Sequence, residues 1–351
     1  MPSLHATARL DIDLSALLAN YRALQRRTPG AEVAPVVKAD AYGLGAEAIA
    51  GHLGRHGAQT FFVARLDEGI ALRKCLGTGP VVYVLDGLSD PAAFFASDLR
   101  PVLNSAAQYQ QWTSGSADLK AALHIDTGMN RLGVRPDEIA GLAARGSHEL
   151  SLLISHLACG DEPGHAMNAQ QLTAFRAAAQ GFQGVPLSLA NSGGSFLGEG
   201  YAFDVTRPGI SLYGGGPFGV AHHEIQAVAT LKARVLQVRD LKAGGTVGYG
   251  ASFTATQDMR LATIGLGYAD GLLRSLATRG QVAINGVCRP LTGRVSMDVF
   301  SVDVTGLAVT TDDWVEILGP QQNLDEVAAA AGTIGYELLT RVGARVQRHY
   351  T

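Results

Sequence analysis

Apolar residues recur at helical spacing near the start of the chain. They fall at positions i, i+3, i+4, i+7 and i+10 and consist of Leu14, Leu17, Leu18, Tyr21 and Leu24. This spacing predicts an amphipathic helix with one buried stripe. Asp13 directly precedes the stripe and is placed to cap the helix N-terminus.

Eight short apolar runs can be read along the first two thirds of the chain, and helix-like stretches such as residues 167–180 separate most of them. The runs are residues 32–38, 60–64, 81–85, 100–103, 121–126, 152–156, 186–190 and 204–213. Continuous apolar strands with helical crossovers indicate a parallel sheet covered on both faces. Eight such units favour a closed TIM-like (β/α)8 barrel, although spacing alone also allows a doubly wound open sheet.

The pattern changes past residue 225. Alternating apolar positions, β-branched residues and glycine turns there predict a mainly antiparallel β domain, with no clear helix before residues 324–332. We therefore predict an α/β class protein with a barrel domain over residues 1–225 and a β-rich domain over residues 226–351. Residues 1–10 precede the first barrel helix and are free to pack on the C-terminal domain.

Charge, cysteine content and hydropathy exclude several classes of protein. The 28 Lys and Arg against 31 Asp and Glu leave a net charge of −3 without long runs of one sign, so neither nucleic acid nor a membrane surface is an expected partner. No window reaches the ~20 apolar residues of a membrane span. Three widely spaced cysteines and no recognisable signal peptide predict a cytoplasmic protein. His52 and His56 have metal-pair spacing but no third ligand nearby, so no metal site is predicted.

Reactive side chains lie at the carboxyl ends of several predicted strands, where barrels carry their active sites. They are Lys38 after the first strand, Asp126 and Arg131 after the fifth, His156 after the sixth, Asn191 and Ser192 after the seventh, and Arg207, Gly209 and Ile210 in the eighth. Each residue has an ordinary structural explanation by itself. Core packing, however, does not require all of them on one rim.

The last two strand ends have the composition of a phosphate site. Residues 191–194 (NSGG) offer a hydroxyl and approachable N–H groups, and residues 207–210 (RPGI) offer more, although tight glycine turns explain each segment equally well. A phosphate opposite a strand-end lysine suggests pyridoxal phosphate, because partial desolvation lowers a lysine's pKa and favours Schiff base formation. Tyr42 is either a further phosphate ligand or an ordinary packed aromatic residue.

At these and other positions the chain resembles the alanine racemases. The matching segments are VVKADAYGLG (36–45), HIDTGMNRLGV (124–134), ISHLACGDEPGHAMNAQQL (154–172), LANSGG (189–194), RPGISLYGG (207–215), VGYGASFTA (247–255), GYADG (267–271), GRVSMDVF (293–300) and TIGYELLT (333–340). They occur in order over nearly the whole chain. The resemblance implies a barrel that holds pyridoxal phosphate, a C-terminal β domain that contributes to the partner subunit's active site, a homodimer, and racemisation of alanine by two-base proton transfer.

The resemblance further implies which residues act as bases. Lys38 matches the Schiff-base lysine, and Tyr249 matches a second base supplied by the other subunit. A lysine and a phenol on opposite faces can invert a stereocentre without turning the substrate over. Because an unperturbed phenol has a pKa of about 10, it needs help from nearby cations. His156 matches the histidine of a His–Arg arrangement held against that tyrosine.

Other matches concern the cofactor and the substrate. Arg207 matches the residue at the pyridine nitrogen, where a permanent cation weakens the cofactor as an electron sink and restrains side reactions. The cofactor-binding matches also include Tyr42, Asn191, Ser192, Gly209, Ile210 and Tyr336. The substrate-binding matches are Arg131 near the carboxylate, Met297 and Asp298 from the partner subunit, and Tyr268 at the entrance.

One position departs from the family pattern. Several alanine racemases carry a carbamylated lysine seven residues before the matching arginine, and this chain has His124 there. Arg131 must therefore be held by a bound anion, a neighbouring carboxylate or His124 itself.

Two other enzyme classes and one binding class compete with this interpretation. A broad-specificity amino-acid racemase of the same fold is the main alternative, although such enzymes are often exported and no signal peptide is recognisable here. A basic amino-acid decarboxylase is disfavoured by Arg207 and by residues 296–298, SMD, where such enzymes use other groups. A cofactor-carrying barrel without a reaction is disfavoured because the β domain supplies Tyr249 and Met297 at motif positions. Biosynthetic supply of D-alanine for peptidoglycan precursors and a catabolic role both stay open.

Overall fold

The chain folds into two compact units. The computed structural model describes residues 6–115, 119–143, 150–277 and 279–351. One unit is Leu18–Leu212, and the other combines Met1–Leu17 with Tyr213–Thr351. The first strand, β1 (Ala8–Ile12), therefore belongs to the same unit as the C-terminal part of the chain.

The first unit, which we call the barrel unit, contains eight short parallel strands. They are β2 (Glu32–Val33), β3 (Thr60–Val63), β4 (Val81–Val84), β5 (Arg100–Leu103), β6 (Ala121–His124), β7 (Leu150–Ile154), β8 (Leu187–Ser188) and β9 (Val205–Thr206). Strands β3 to β8 form one continuous parallel sheet in chain order, and β2 pairs with β9. The apolar runs thus form parallel strands, as predicted.

Backbone hydrogen bonds close these strands into a ring. A parallel bridge between Val36 and Phe62 joins the segment after β2 to β3. At the other end, the Arg207 N–H donates to the Ala190 carbonyl at 2.8 Å and joins β9 to the segment after β8. With β2 paired to β9, no edge of the sheet is left open. The closed barrel prediction is confirmed, and the doubly wound open sheet is excluded.

Helices precede and connect the barrel strands. They are α1 (Leu14–Arg27), α2 (Lys38–Tyr42), α3 (Ala46–Arg55), α4 (Leu66–Leu76), α5 (Pro91–Ala96), α6 (Ala106–Gly115), α7 (Pro136–Ala143) and α8 (Ala166–Ala179). The predicted cap of α1 is confirmed, because the Ala16 N–H donates to Asp13 Oδ1 at 2.9 Å. Leu17, Tyr21 and Leu24 of its predicted stripe are also buried, whereas Leu14 and Leu18 are partly exposed. None of the helices in the described ranges has the length and apolar character needed to cross a membrane.

The second unit, which we call the β unit, is built mainly from antiparallel strands. Its strands after β1 are β10 (Ala229–Leu241), β11 (Thr246–Val247), β12 (Phe253–Thr254), β13 (Met259–Ile264), β14 (Gln281–Ile284), β15 (Val287–Thr292), β16 (Phe300–Asp303), β17 (Trp314–Leu318) and β18 (Gln347–Tyr350). Two helices, α9 (Leu324–Ala331) and α10 (Gly335–Arg341), precede β18.

The long strand β10 organises the β unit. The main sheet has the order β13-β16-β15-β14-β17-β10-β1-β18, and a further β10–β13 pairing closes six of these strands into a ring. Every pairing in the sheet is antiparallel except that of β1 with β18. The predicted antiparallel β domain is therefore confirmed. Alternating burial along β10, whose inward residues include Leu231, Ala233 and Val235, explains its alternating sequence.

Candidate active site

Lys38 lies where the first barrel strand segment ends. Val36 and Val37 are buried, and the Val37 N–H donates to the Phe62 carbonyl at 2.8 Å, which ties the segment to β3. Lys38 itself is partly exposed and begins the single turn α2. The buried strand and the turn together bring one amine to the carboxyl end of the barrel, as the strand-end rule predicts.

The turn after Lys38 is left-handed. Ala39, Asp40, Ala41 and Tyr42 have φ values of 51°, 54°, 51° and 58°. Residues with a Cβ avoid this region, at a cost of about 1–2 kcal/mol each, because the Cβ approaches the following carbonyl. Hydrogen bonds hold the turn, including those from the Ala39 N–H to Glu68 Oε1 and from the Ala46 N–H to Asp40 Oδ1, both 2.7 Å.

Three effects set the protonation of Lys38. Burial lowers the pKa of the Lys38 amine, and the positive charge of Arg131 lowers it further. The Glu68 carboxylate opposes both and raises it. Because burial is the largest of the three, the amine loses its proton more readily than an ordinary lysine.

Arg207 is buried in the barrel at the end of β9. Its guanidinium donates to Ser188 Oγ and to the Ser155 carbonyl, and its Cζ lies 5.9 Å from the centre of the Phe62 ring. Burial lowers the Arg207 pKa to about 10, which still leaves it charged at neutral pH. Among the described residues it forms no ion pair with a carboxylate. A buried guanidinium without a counter-ion favours an anionic or electron-rich ligand.

His156 follows β7 and lies beside Arg207. Arg207 Nη2 is 3.5 Å from His156 Nδ1, and since a guanidinium can only donate, this nitrogen is the acceptor. Burial, the Arg207 charge and then the Arg131 charge hold the pKa of His156 well below its usual range, so the ring is neutral. The buried Gln171 side chain fixes the loop by donating to the His156 carbonyl at 2.9 Å and accepting from the Ala158 N–H at 2.8 Å.

The ends of β8 and β9 form an anion cradle. Ser192 Oγ accepts hydrogen bonds from the N–H groups of Gly209 and Ser211, at 2.9 and 3.3 Å. A Cβ on Gly209 would lie 2.2 Å from Tyr42 Oη, so only glycine lets that hydroxyl come so close. Ser211 Oγ is buried and has no hydrogen-bond partner among the described residues. Clustered N–H and hydroxyl groups, with Ile210 beginning a short 3-10 helix beside them, suit a phosphate.

The NSGG segment owes its composition to packing as well as to any ligand. Asn191 Oδ1 accepts the Gly194 N–H at 2.9 Å and shapes the loop from within. A Cβ on Gly193 would lie 2.1 Å from the Gly160 carbonyl oxygen, so the loops after β7 and β8 touch here. Gly193 is therefore required by close backbone approach, and a Cβ on Gly194 would lie 2.8 Å from Leu157 Cδ1, which the sequence alone left undecided.

Arg131 and His124 lie on the same rim, at the end of β6. Arg131 is exposed, in a loop shaped by Asp126 Oδ1, which accepts the N–H groups of Gly128 and Asn130. His124 Nδ1 lies 2.9 Å from Asn104 Oδ1. Burial is the main cause, with the charges of Arg207 and Arg131, of a His124 pKa of about 4, although Asp126 opposes it. His124 is thus neutral near two cations.

The remaining predicted residues are in the β unit and are largely exposed. Tyr249 is 72% exposed, Met297 51%, and Tyr268 and Tyr336 41% each. The Ala269 N–H donates to the Met297 carbonyl at 3.0 Å, which brings the Tyr268 turn next to residues 296–298. A Cβ on Gly267 would lie 2.2 Å from the Met297 oxygen, so this contact depends on glycine.

Arg345 fastens these two segments together. Its guanidinium pairs with Asp270 at 2.8 Å and with Asp298 at 2.9 Å. Asp270 in turn accepts the Gly267 N–H at 2.9 Å. The exposed group of Tyr268, Met297 and Asp298 is therefore held in a defined arrangement within the β unit.

Three residues that shape the barrel rim were not predicted. Glu68 binds the turn after Lys38, Asn104 orients His124, and Gln171 holds the His156 loop. Asn104 directly follows β5, so the strand-end rule could have identified it. Glu68 and Gln171 lie inside helices α4 and α8, where sequence gives no comparable signal.

Comparison with known proteins identifies two family domains. The family model for the alanine racemase N-terminal domain matches residues 12–217. The model for the alanine racemase C-terminal domain matches residues 228–350. Together they account for nearly the whole chain.

Individual proteins resemble the chain over its full length. An alanine racemase of Dinoroseobacter shibae is 47% identical over 98% of both chains. A catabolic alanine racemase of Agrobacterium fabrum is 45% identical, covering 98% of this chain and 92% of its own. The crystal structure of alanine racemase from Bartonella henselae, with covalently bound pyridoxal phosphate, is 39% identical and covers 99% of this chain and 100% of its own, with a TM-score of 0.93.

Proposed function

The chain belongs to the alanine racemase family, and from that premise we propose that it is a pyridoxal-phosphate-dependent isomerase that interconverts L-alanine and D-alanine. The observation that carries the proposal is the 47% identity to the Dinoroseobacter shibae alanine racemase over 98% of both chains. Relatives named for either a catabolic or an unspecified role match at similar levels, so the proposal concerns the reaction alone.

The residues of the barrel unit fit pyridoxal phosphate. The cradle formed by Ser192, Gly209 and Tyr42 suits its phosphate, and the orphaned Ser211 hydroxyl lies beside it. The Lys38 amine, with its lowered pKa, suits the covalent attachment seen in the Bartonella henselae relative. When bound, the cofactor withdraws electrons from the Cα of the attached amino acid and makes its proton acidic.

Lys38 serves in this proposal as one of two bases. Its lowered pKa leaves more of the amine unprotonated at neutral pH, so Nζ can take the Cα proton on one face of the substrate. Tyr249 of a second copy of the chain exchanges the proton on the opposite face through its hydroxyl. His156 and Arg207 form the neutral ring and cation pair that assists this tyrosine.

Arg207 restrains side reactions. Its guanidinium is fixed by Ser188 and the Ser155 carbonyl and stays charged at neutral pH. We assign it to the ring nitrogen of the cofactor, where a cation discourages protonation of that nitrogen. Electron withdrawal is then weaker, which favours simple return of the proton over transamination or decarboxylation.

Substrate recognition combines residues from two copies of the chain. Arg131 binds near the alanine carboxylate, and the segment with Met297 and Asp298 meets that carboxylate from the partner. Tyr268 narrows the entrance against larger side chains. The exposure of Tyr249, Tyr268 and Met297 supports the homodimer, because exposed aromatic and apolar groups held in defined positions mark an interaction surface.

The first experiment measures racemisation by the purified, cofactor-loaded protein. L-alanine, L-serine, L-lysine and L-arginine are tested side by side. We expect fast conversion of alanine and slow conversion of the others. Comparable rates on the larger amino acids would indicate a broad-specificity racemase, and no racemisation with bound cofactor would refute the proposal.

Subunit complementation tests the shared active site. The variants Lys38→Ala and Tyr249→Phe are each expected to be nearly inactive. When they are co-expressed, half of randomly formed dimers are hybrids with one intact site of two, so about a quarter of the parental activity should return. If both bases come from the same chain, every site lacks one base and no activity returns.

A further inference from the structure

A strained turn directly follows the proposed cofactor lysine, and no glycine occupies it. Ala39, Asp40, Ala41 and Tyr42 are all left-handed, with glycines only at positions 43 and 45. Such a run persists only where surrounding groups hold it, and strain of this kind concentrates at functional sites. The groups that hold this turn therefore also determine where Lys38 points.

One carboxylate outside the turn holds its first peptide. Glu68 Oε1 accepts the Ala39 N–H at 2.7 Å, while Oε2 accepts the N–H groups of Ala64 at 2.7 Å and Arg65 at 3.1 Å. Ala64 and Arg65 lie between β3 and α4, so the carboxylate ties the turn to the barrel wall. Glu68 is itself fixed in the first turn of α4.

This bond acts on Lys38 through the peptide plane. The Ala39 N–H belongs to the rigid peptide unit that begins at the Lys38 carbonyl, so holding it sets the backbone rotation at Lys38. The direction of the Lys38 Cα–Cβ bond follows from that rotation. The Glu68 charge also reaches the amine, because it raises the pKa of Lys38 against the effects of burial and Arg131.

We propose that Glu68 is a positioning residue for Lys38: its carboxylate locks the left-handed turn and so directs the amine to the cofactor. This inference rests on the proposed function, which makes Lys38 the attachment point. Glu68 need not touch the cofactor or the substrate.

The geometry requires both carboxylate oxygens. A glutamine at position 68 has one acceptor oxygen and one NH2 group, and the NH2 cannot accept a hydrogen bond. Its oxygen can therefore accept from the Ala39 N–H or from the N–H groups of Ala64 and Arg65, but not from both. The NH2 group then faces the remaining N–H donor. Glu47 and Glu68 line one cleft. No hydrogen bond to the Glu47 carboxylate occurs in the described ranges, so Glu47→Gln is a matched control.

The test follows attachment of pyridoxal phosphate to cofactor-free full-length protein by stopped-flow absorbance at a series of pH values. We expect Glu68→Gln to slow attachment on the order of ten-fold, because small misplacements of a reacting group have effects of this size or larger. Loss of the negative charge lowers the Lys38 pKa further, so the pH midpoint of attachment should move to lower pH. Glu47→Gln should match the parent in both measurements.

A second variant separates position from charge. Glu68→Asp keeps the charge but is one methylene shorter, so it should slow attachment without moving the pH midpoint; it also replaces Glu68→Gln if that variant does not fold. Parental rates and midpoints in the Glu68 variants would overturn the inference. Failure of the proposed function would appear instead in the parent, as absence of attachment or of alanine racemisation, and absence of attachment would remove the inference as well.

Discussion

Replacing His124 by asparagine should flatten part of the pH dependence of stability. Asn104 Nδ2 donates to the Leu85 carbonyl at 2.8 Å, so its Oδ1 faces His124 as an acceptor and His124 Nδ1 carries the proton. Burial, with the charges of Arg207 and Arg131, holds the His124 pKa at about 4. The His124 imidazole is thus neutral in the folded protein. In the unfolded chain it takes up a proton near its ordinary pKa of about 6.5.

The magnitude follows from the two pKa values of His124. Between pH 6.5 and 4 the unfolded chain binds a proton that the folded chain does not, so stability falls as the pH falls through this window. A difference of about 2.5 pKa units at about 1.4 kcal/mol each corresponds to roughly 3 kcal/mol. Above pH 6.5 the full contribution is present, and below pH 4 it is lost.

The measurement compares the urea unfolding of His124→Asn with that of the parent from pH 7.5 to pH 4.5. Asparagine places a donor near the former Nδ1 and keeps the bond to Asn104, but it does not titrate. Relative to the parent, the variant should gain about 2–3 kcal/mol over this range. His156 is present in both proteins, and because burial and the Arg207 charge are the main causes of its lowered pKa, its titration largely cancels. His56→Asn, which removes an exposed imidazole, serves as the control. Parallel pH profiles for the parent and His124→Asn would refute the reasoning.

Two further substitutions test the cradle and the core. Gly209→Ala would place a methyl 2.2 Å from Tyr42 Oη, so we expect at least a roughly ten-fold higher dissociation constant for pyridoxal phosphate by absorbance titration. Gly164→Ala, where a Cβ has no atom within 4 Å, should bind as the parent does. Phe175→Ala should lower the free energy of unfolding by about 3–5 kcal/mol, since its ring is fully buried. Phe95→Ala, at a ring 68% exposed, should change it by less than about 0.5 kcal/mol.

Local patterns were sufficient to predict the architecture. A continuous run such as residues 60–63 predicts a strand that is covered on both faces. In the structure all four residues of β3 are buried. The alternation of apolar and polar residues along β10 predicts instead a strand with only one face covered. Because parallel strands end on one side of a barrel, the same reasoning placed Lys38 and His156 on one rim without any knowledge of contacts.

The backbone conformation around Lys38 could not be predicted from local sequence patterns. Glycines such as Gly43 and Gly45 are typical of turns, and both have positive φ values, of 82° and 95°. The four residues before them adopt the same region although their own preferences oppose it. The cause is tertiary, since the carboxylate of Glu68 in helix α4 binds the Ala39 N–H from 29 residues further along the chain. The contact between His124 and Asn104 is also tertiary, because it joins the ends of the neighbouring strands β5 and β6, so local sequence patterns do not predict it.

The electrostatics of the rim connect folding to the proposed chemistry. Burial and neighbouring cations lower the pKa values of Lys38, His124 and His156, and burial alone lowers that of Arg207. The barrel unit therefore folds with the charges of Lys38 and Arg131 repelling each other and with the Arg207 guanidinium buried without a carboxylate partner among the described residues, at a cost in stability. An anion bound in the cradle would offset this repulsion, and any ligand that binds only the folded state adds about 2.7 kcal/mol at a hundred-fold excess over its dissociation constant. Thus the arrangement of charges that costs stability is also the one that favours a phosphate-bearing cofactor, and it makes the Lys38 amine lose its proton more readily.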